Sequence, residues 1–476
     1  MAFLKSEESS RLYKNFSYIF LSQGASSIIY FLALIYLARI FGPQGFGKIG
    51  FVEGLMMSLL VIASFGTDIV LVKEIAIDNK RLKNTNYTGS AIFLRAAMGV
   101  LSFLLLVTIT FFLKFEPELK TLIIIYGTSI LFLLLNVEWA FQGIERMEYC
   151  GISYLIREGV FAILVFSFIR GKNQILFAGF FYSASRLAYS GYLLYKFFKV
   201  SGKIPLAADP AICKTLLKNA APIGLIYIFS QVIWNFGLIS LGIWETKESV
   251  GYYNAALKPI LFYLMFINAY FIALFPLISS YSEKSMQSLQ ELLSKTAENG
   301  LTVSIPIIFS GTILAKRLIE TVYGKEYEPA TLPFQILLCA CLIVFINTTY
   351  SRTLLVLNSK TCSAIIGIQS LICIIFSILL IKSFSAAGVC AAIIIEEIIG
   401  FALYYTALSR LAEIKIPFYK FLTKPLVASV FLVVFLKMFY KYNLIFLLFG
   451  GIAIYIFVLV VLNKVQVDRK SVETGL

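Results

Sequence analysis

The chain has no histidine, and few of its residues are charged. Of its 476 residues, 14% are Asp, Glu, Lys or Arg and 59% are hydrophobic, whereas a typical soluble protein has roughly 25% charged residues. Without histidine the chain cannot form a histidine-ligated zinc site, a Ser-His-Asp triad or a histidine pH switch. The composition therefore predicts a membrane protein that crosses the bilayer many times.

Two common functional motifs are also missing. No CxxC pair occurs among the seven cysteines, and most of these lie in apolar runs, where cysteine behaves as a small hydrophobic residue. No GxxxxGK[ST] loop is present, so the chain lacks the usual cradle for the phosphates of ATP. We therefore expect no cofactor, no metal and no ATPase activity.

The net charge of +15 suggests nucleic acid binding at first sight, but membrane topology explains it better. Most Lys and Arg residues lie in short loops beside apolar runs, as expected for membrane proteins. With the N-terminus inside, the inner segments hold 23 of these residues and the outer segments 13. This excess predicts that both termini lie in the cytoplasm, and we expect no nucleic acid partner.

A membrane-spanning helix needs about 20 mainly apolar residues. The first apolar run lacks a small-residue cleavage site, so we expect a retained helix and not a removed signal peptide. The predicted fold class is all-α, a polytopic membrane protein with about fourteen transmembrane helices. The predicted spans are 15–38, 48–66, 89–113, 119–141, 151–169, 175–198, 217–243, 251–279, 295–315, 332–356, 361–381, 386–409, 422–440 and 443–462.

The pattern of residues 15–47 recurs at residues 219–251. Each segment begins with Asn at the foot of a long apolar run and ends 32 residues later with a Gly that opens the next run. Such a repeat indicates two lobes related by an axis along the membrane normal, with substrate bound in a central cavity between them. We expect an N-terminal lobe at 1–200 (spans 1–6), a C-terminal lobe at 201–415 (spans 7–12), and two added helices with a cytoplasmic tail at 416–476.

Several basic residues lie inside the apolar runs. Charge at membrane depth is costly and by default marks a functional path. Arg186 lies near the midplane, whereas Arg95 and Arg157 lie nearer the inner surface, where a long side chain can also reach the headgroups. Because arginine binds phosphate in a bidentate manner, we expect an anionic substrate. The predicted substrate-binding residues are Arg186, Lys258, Arg157 and Arg95.

Glu53, Glu396 and Glu397 are acids that lie inside the apolar runs. Glu396 and Glu397 are consecutive, so they face different directions on a helix. We predict that these acids are coupling residues or ion-pair partners of basic side chains. Glu158 directly follows Arg157, and adjacent helical positions are not expected to face each other.

A polar hairpin connects two apolar runs at residues 136–159. Counted from the outer start of the preceding run at Leu119, Trp139 is twenty residues along, or about 30 Å at 1.5 Å per residue. This depth corresponds to the inner surface of the bilayer, an interface that tryptophan favours. We therefore expect a cytoplasmic latch that opens and closes as the lobes move, formed by Trp139, Gln142, Glu145 and Arg146.

Gly143 should end the helix of this hairpin and allow a close turn. Glu145 and Arg146 would then contact loop backbone or the amphipathic segment around Lys73–Lys83, which belongs to an amphipathic stretch at residues 68–88. Two alternatives remain for the hairpin: a plain turn that only sets the topology, or a direct contact with substrate.

Three stretches are specific enough to suggest relatives: LARIFGPQGFG at Leu37–Gly47, WAFQGIERM at Trp139–Met147 and YGKEYEPA at Tyr323–Ala330. Together they resemble the polysaccharide flippases of the multidrug/oligosaccharidyl-lipid/polysaccharide exporter superfamily, and in particular its O-antigen (Wzx-type) transporters. The pattern W-x-F-Q-G-x-E-x-M is the most specific of the three. The chain is similar to these transporters over its whole length, but has two spans beyond their usual twelve.

The resemblance implies a two-lobed fold with a central cavity. It also implies a flippase that moves an undecaprenyl-pyrophosphate-linked oligosaccharide, such as an O-antigen repeat unit, from the cytoplasmic to the outer leaflet of the bacterial inner membrane. Its implied partners are this lipid-linked oligosaccharide, membrane lipids, and the polymerase and chain-length proteins of the same pathway.

Related functions stay open. A lipid II flippase shares the layout of fourteen spans and a basic residue in span 8, here Lys258. A drug or ion antiporter fits the sequence less well. The resemblance places the coupling acid of those pumps in span 1, and span 1 of this chain has Gln23 there in place of a carboxylate. A membrane glycosyl transferase would carry a large polar outer loop, whereas the longest outer connection here is under twenty residues. We therefore expect a transporter and not an enzyme.

The topology leads to a labelling prediction. Single cysteines placed near Glu116 and near Tyr327, after removal of the seven native cysteines, should react with a membrane-impermeant maleimide added to intact cells. A cysteine at Asn79 should react only after the membrane is permeabilised, because the positive-inside rule places that loop in the cytoplasm. Reaction at Asn79 in intact cells would contradict this topology.

Overall fold

The computed structural model describes residues 6–78, 82, 84–202 and 208–474; for residues 6–17, 85, 133–134 and 465–474 it describes the backbone alone. Regular structure in these residues is helical, with short 3-10 helices at Phe132–Leu135, Lys172–Gln174 and Lys325–Ala330. The α-helices are α1 (Ser6–Ser64), α2 (Thr67–Ile77), α3 (Thr85–Phe112), α4 (Pro117–Leu131), α5 (Glu138–Gly143), α6 (Met147–Phe168), α7 (Ile175–Ser201), α8 (Pro210–Trp244), α9 (Lys247–Lys284), α10 (Met286–Tyr323), α11 (Thr331–Leu357), α12 (Ser359–Ala412), α13 (Phe418–Met438) and α14 (Leu444–Thr474).

The predicted fold class is confirmed. Among the described residues, ten helices are long and apolar enough to cross a membrane. Two of these contain a break in helical geometry, α1 at Gly42 (φ 66°) and α12 at Ser385 (φ 48°), so each corresponds to two of the predicted spans. The predicted spans at 119–141 and 175–198 correspond to α4–α5 and to α7, which are not among the ten.

The chain divides into two compact units, Met1–Gly251 and Tyr252–Leu476. In the first unit α1 packs against α6 and α8, and in the second unit α11 packs against α12 and α10 against α13. The first unit thus includes α8, the helix that the repeat assigns to the C-terminal lobe. The lobe boundaries proposed from the sequence stay a prediction.

Gly47 and Gly251, which occupy equivalent positions in the sequence repeat, lie against each other in the first unit. A methyl group built on Gly47 would overlap the carbonyl oxygen of Lys247 and would lie 2.9 Å from the backbone nitrogen of Gly251. A methyl group on Gly251 would overlap the carbonyl oxygen of Pro43. Only glycine lets two backbones approach this closely, so the contact depends on both residues.

Further glycines extend this close approach along α1 and α8. A methyl group on Gly54 would lie 2.9 Å from Cβ of Leu238, and one on Gly242 would overlap the ring of Phe51. At the other end, a methyl group on Gly66 would lie 2.7 Å from the backbone nitrogen of Gly224. Small residues therefore allow close packing of α1, and of the turn that follows it, against α8.

Two of the predicted loop features need correction. Within residues 68–88, α2 ends at Ile77 and α3 begins at Thr85, and residues 79–81 and 83 lie outside the described residues. Tyr327, proposed above as a marker of the outer surface, lies in the 3-10 helix and is only 1% exposed. Its ring packs against that of Tyr323 at the end of α10. Glu326 and Glu328 are among the exposed positions of that segment and are better sites for labelling.

The glycine contact leads to a stability prediction. Gly47→Ala should lower the free energy of unfolding by about 1–3 kcal/mol, because an added methyl group in a packed contact forces the backbones apart. Gly24→Ala on the same helix is the matched control, since nothing lies within 4 Å of a methyl group there. Thermal unfolding of both purified variants in the same detergent tests this, and equal transition temperatures would contradict it.

Candidate functional site

The candidate site lies in the first unit, around the carboxylate of Glu158 on α6. Its Oε1 accepts a hydrogen bond from Nε of Arg157 at 2.6 Å, and its Oε2 lies 3.6 Å from Nη1 of Arg186 on α7. The Glu158 side chain is only 4% exposed. Two of the four predicted basic residues, Arg157 and Arg186, are thus brought together by one buried acid.

This geometry corrects the expectation that Arg157 and Glu158 do not face each other. Adjacent helical positions do diverge at Cβ. The arginine side chain is long enough to turn back, so its Nε reaches the neighbouring carboxylate. Glu158 is therefore part of the site, although sequence spacing argued against it.

Tyrosine rings surround both guanidinium groups. Cζ of Arg186 lies 3.8 Å from the centroid of the Tyr182 ring, and its Nη1 donates to Oγ of Ser185 at 3.0 Å. Cζ of Arg157 lies 5.5 Å from the centroid of the Tyr154 ring and 5.4 Å from that of Tyr189. Cation–π contacts of this kind each contribute about 0.5–2 kcal/mol, so the rings help to keep both charges inside the protein.

The two arginines retain donors that can bind a ligand. A guanidinium has five N–H donors, and Arg157 uses only its Nε on Glu158. Its terminal nitrogens donate to no side chain or backbone oxygen among the described residues, and the side chain is 30% exposed. An oxyanion that reaches Arg157 therefore meets unoccupied N–H groups, with the Arg186 guanidinium on the other side of Glu158.

Glu53 lies close to the same cluster. The hydroxyl of Tyr30 donates to Oε1 of Glu53 at 2.6 Å, and both residues interact electrostatically with Arg186. Glu53 is buried, with 4% exposure. Glu53 therefore lies near the arginine pair, and its role as a coupling residue or ion-pair partner stays a prediction.

Glu138, at the start of α5, forms a second acidic centre beside Arg157. Its Oε1 accepts from the hydroxyl of Tyr154 and from Nε2 of Gln142 (2.7 Å), and its Oε2 accepts from the hydroxyl of Tyr189. Tyr154 and Tyr189 are the same two tyrosines that flank Arg157. The hydroxyls of these rings thus meet at one carboxylate while their faces meet one guanidinium.

The other two predicted basic residues lie elsewhere. Arg95 on α3 is 3% exposed and forms an ion pair with Asp68 on α2, so it ties two helices together outside the arginine cluster. Lys258 is half-buried on α9 in the second unit. Substrate binding by Arg95 and Lys258 stays a prediction.

Glu396 and Glu397 on α12 are buried among amide groups of the second unit. Gln369 Nε2 donates to Oε2 of Glu396 at 2.9 Å, and Asn347 Nδ2 donates to Oε2 of Glu397 at 2.6 Å. Tyr404 in turn donates to Oε1 of Gln369 at 3.0 Å. Within the part of the chain that the structure describes, neither carboxylate has a Lys or Arg at ion-pair distance.

The predicted latch hairpin is held by apolar packing. Trp139 is 1% exposed and packs with residues of α2 and α7 in a buried cluster. A methyl group on Gly143 would lie 2.7 Å from Cβ of Ile75 on α2, so this glycine allows α5 to lie close against α2. α5 ends at Gly143 as predicted, and the left-handed residue of the following turn is Glu145 (φ 59°).

The polar residues of the hairpin differ from the expected arrangement. Gln142 donates to Glu138, and Arg146 pairs with Glu148 at 3.4 Å within the same hairpin. Within the described residues Arg146 makes no ion pair to α2, and its side chain is 59% exposed. Lys80, Arg81 and Lys83, part of the expected contact segment, lie outside the described residues.

A pocket of about 220 Å³ lies within the second unit, between α9, α10 and α11. Aromatic and aliphatic side chains form most of its lining, including Phe266, Tyr270 and Phe345. Tyr263 and Ser304 satisfy each other by a hydrogen bond of 2.6 Å. Because its described lining carries no charged side chain, this pocket is not suited to an anionic group.

Glu138, Glu158 and the tyrosines that surround the arginines were not predicted as site residues from the sequence. Tyr154 and Tyr189 resemble the many other aromatic residues of an apolar helix, so they carry no separate signal. Glu138 does carry a sequence signal, because it lies two residues after Asn136 inside an apolar run. In the structure Oδ1 of Asn136 accepts a hydrogen bond from the Glu138 backbone N–H at 2.9 Å, where the helix is interrupted.

Comparisons with known proteins agree on the family and the fold. The family described as "Polysaccharide biosynthesis protein" matches residues 12–282. A "Putative O-antigen transporter" of Escherichia coli (strain K12) is 25% identical over 399 residues, covering 79% of this chain and 92% of that protein. The chain is also similar to the solved structure of the lipid II flippase MurJ in an inward closed conformation, with TM-score 0.71, 18% identity and coverage of 95% and 99%.

An inward-facing multidrug resistance MATE family transporter of the MOP superfamily matches as well, with TM-score 0.67, 13% identity and coverage of 82% of this chain and 96% of that one. At these identities the two solved structures are evidence for the fold alone. The fold of the chain is therefore that of this transporter superfamily.

Proposed function

The chain belongs to the polysaccharide biosynthesis protein family, a family of multi-pass membrane transporters and not of enzymes, and from this premise we propose the following function. The protein is a flippase for an undecaprenyl-pyrophosphate-linked oligosaccharide, an O-antigen unit or a similar repeat unit of a surface polysaccharide. It moves this substrate from the cytoplasmic to the outer leaflet of a bacterial inner membrane by alternating access, with both of its termini in the cytoplasm.

The arginine pair of the first unit is the observation that supports this proposal most. A diphosphate has several oxygen acceptors, and arginine binds such groups through two parallel N–H donors. Arg157 has terminal donors that no described residue uses, and Arg186 is connected to it through Glu158. The diphosphate would bind to these guanidiniums, while Glu158 keeps them paired when no substrate is bound.

The remaining predicted residues receive secondary roles in this proposal. Lys258 and Arg95 would contribute positive charge along the path. Glu396, Glu397 and Glu53 would be the coupling residues, and the buried amide environment of the first two suits groups that change their charge state during transport. Polymerase and chain-length proteins of the same pathway would be partners on the outer side.

The lipid II flippase alternative rests on a likeness that concerns the fold. The relative from Escherichia coli is named for O-antigen transport and covers most of both chains, which favours an O-antigen type of substrate. Both alternatives have a diphosphate-linked lipid in common, so the role proposed for the arginines is the same in each.

Arg186→Ala should abolish most transport, because removing one side of a buried charge contact costs about 3–5 kcal/mol, or at least about a hundredfold. Arg186→Lys should restore only part of the activity, since a lysine cannot bind two oxygens with a planar fork. The measurement is the amount of surface glycan in cells at matched levels of membrane protein.

Lys382→Ala is the control for general loss of a basic residue, since the sequence places this residue in an outer loop. Normal surface glycan in cells that carry Arg186→Ala at the normal protein level would show that Arg186 is structural or peripheral, and the proposed site would lose its main residue.

The hairpin of Trp139, Gln142, Glu145 and Arg146 would act as a cytoplasmic latch that governs rate more than specificity. Glu145→Ala and Arg146→Ala should therefore reduce transport of two different lipid-linked oligosaccharides by the same factor. A loss confined to one oligosaccharide would mean that the hairpin contacts sugar, and the latch assignment would then be wrong.

A further inference from the structure

We propose that Glu138 is a positioning residue that sets the location of Arg157 through the two tyrosines between them. The carboxylate of Glu138 does not touch the substrate in this proposal. It holds the hydroxyls of Tyr154 and Tyr189, and the rings of these tyrosines hold the guanidinium that binds the diphosphate. The inference rests on the proposed function, in which Arg157 contacts the anionic part of the substrate.

Two nearly parallel tyrosine rings flank Arg157. The rings of Tyr154 and Tyr189 are nearly parallel, with 15° between their planes and 6.4 Å between their centroids. Cζ of Arg157 lies almost equally far from both, at 5.5 and 5.4 Å. A guanidinium is attracted to the face of each ring, so the position of Arg157 depends on the orientation of both tyrosines together.

The hydroxyls of both tyrosines donate to the carboxylate of Glu138. Each phenolic hydroxyl donates one hydrogen bond, and the two bonds are accepted by different oxygens of Glu138. Gln142 is a third donor to the same carboxylate. A carboxylate offers two acceptor oxygens, whereas an amide offers one. A glutamine at this position therefore cannot hold both tyrosines in the same way, although it has nearly the same size.

The backbone around Glu138 supports a functional role independently. α4 ends at Leu131, a 3-10 helix covers Phe132–Leu135, and α5 begins only at Glu138. This interruption falls towards the inner end of a predicted span, and non-helical backbone inside a membrane occurs where it is buried in protein or lines a water-filled cavity. Broken helices of this kind mark binding sites in transporters. The break places the Glu138 carboxylate where it meets α6 and α7.

Charge pairing explains why the tyrosines matter. Arg157 has one carboxylate within ion-pair distance among the described residues, that of Glu158. Its remaining donors are kept in place by ring faces and not by hydrogen bonds, so the guanidinium can exchange contacts with a ligand without breaking a second ion pair. If the rings turn, Arg157 loses this support, and the diphosphate meets a less ordered group.

The test measures binding of farnesyl diphosphate to the purified full-length protein in lipid nanodiscs by isothermal titration calorimetry. Glu138→Gln should weaken binding at least about tenfold, and Glu138→Asp should weaken it as well, because the shorter side chain cannot reach both phenols. Glu148→Gln is the matched control, since Glu148 lies on the same hairpin but pairs only with the exposed Arg146. It should bind like the unaltered protein.

A double-mutant cycle separates positioning from a merely structural role. In the background of Arg157→Ala, Glu138→Gln should cause little further loss, because Glu138 acts through Arg157. Equal losses by Glu138→Gln in both backgrounds would overturn the inference. The double variant Tyr154→Phe/Tyr189→Phe keeps Glu138 but removes both phenols. It should reproduce the loss, and unchanged binding in this variant would also overturn the inference.

The same data distinguish the inference from the proposed function. If Arg157→Ala and Arg186→Ala bind farnesyl diphosphate as the unaltered protein does, or if the unaltered protein does not bind it, the arginine site itself is wrong. If both arginine variants lose binding while Glu138→Gln behaves like Glu148→Gln, only the positioning role is wrong. If Glu138→Gln does not fold, the tyrosine double variant and its cycle with Arg157→Ala decide the question.

Discussion

Placing a charge away from water is costly unless an opposite charge or a set of hydrogen bonds compensates it. Glu158 provides this compensation for two arginines at once, with Arg157 at 2.6 Å and Arg186 at 3.6 Å. Tyrosine rings pack against both guanidiniums, and two of these tyrosines donate hydrogen bonds to Glu138. The site is thus one connected set of contacts between α5, α6 and α7, in which no single residue can be interpreted alone.

The helical fold could be predicted from the sequence because long apolar runs report directly on membrane crossing, whereas several helix boundaries could not, among them the break between α4 and α5. The three stretches that carry the family resemblance have a common structural property. Each contains a residue with positive φ: Gly42 (66°), Glu145 (59°) and Gly324 (110°). They therefore encode changes of chain direction between helices. This explains why they predicted the fold well and contain little information about the substrate.

The site was only partly predictable, for two physical reasons. Arg157 and Arg186 were recognisable because a basic residue in an apolar run is rare in itself. Glu158 was set aside on the basis of Cβ directions, and the reach of a long flexible side chain overrode that rule. Glu138 became significant only through the broken helix between α4 and α5, and a count of apolar residues treats that segment as one continuous span. Lone charges are thus visible in a sequence, whereas their partners depend on where the backbone bends.

The contact between Gly47 and Gly251 has a consequence for how such transporters diverge. Two backbones in direct contact present no side chain that selection can vary. A substitution of either glycine would force the opposing helix to move. This part of the protein is therefore expected to accumulate few tolerated changes as a lineage adopts new glycans. Adaptation would instead proceed at positions where one side chain can be exchanged while the helices keep their places.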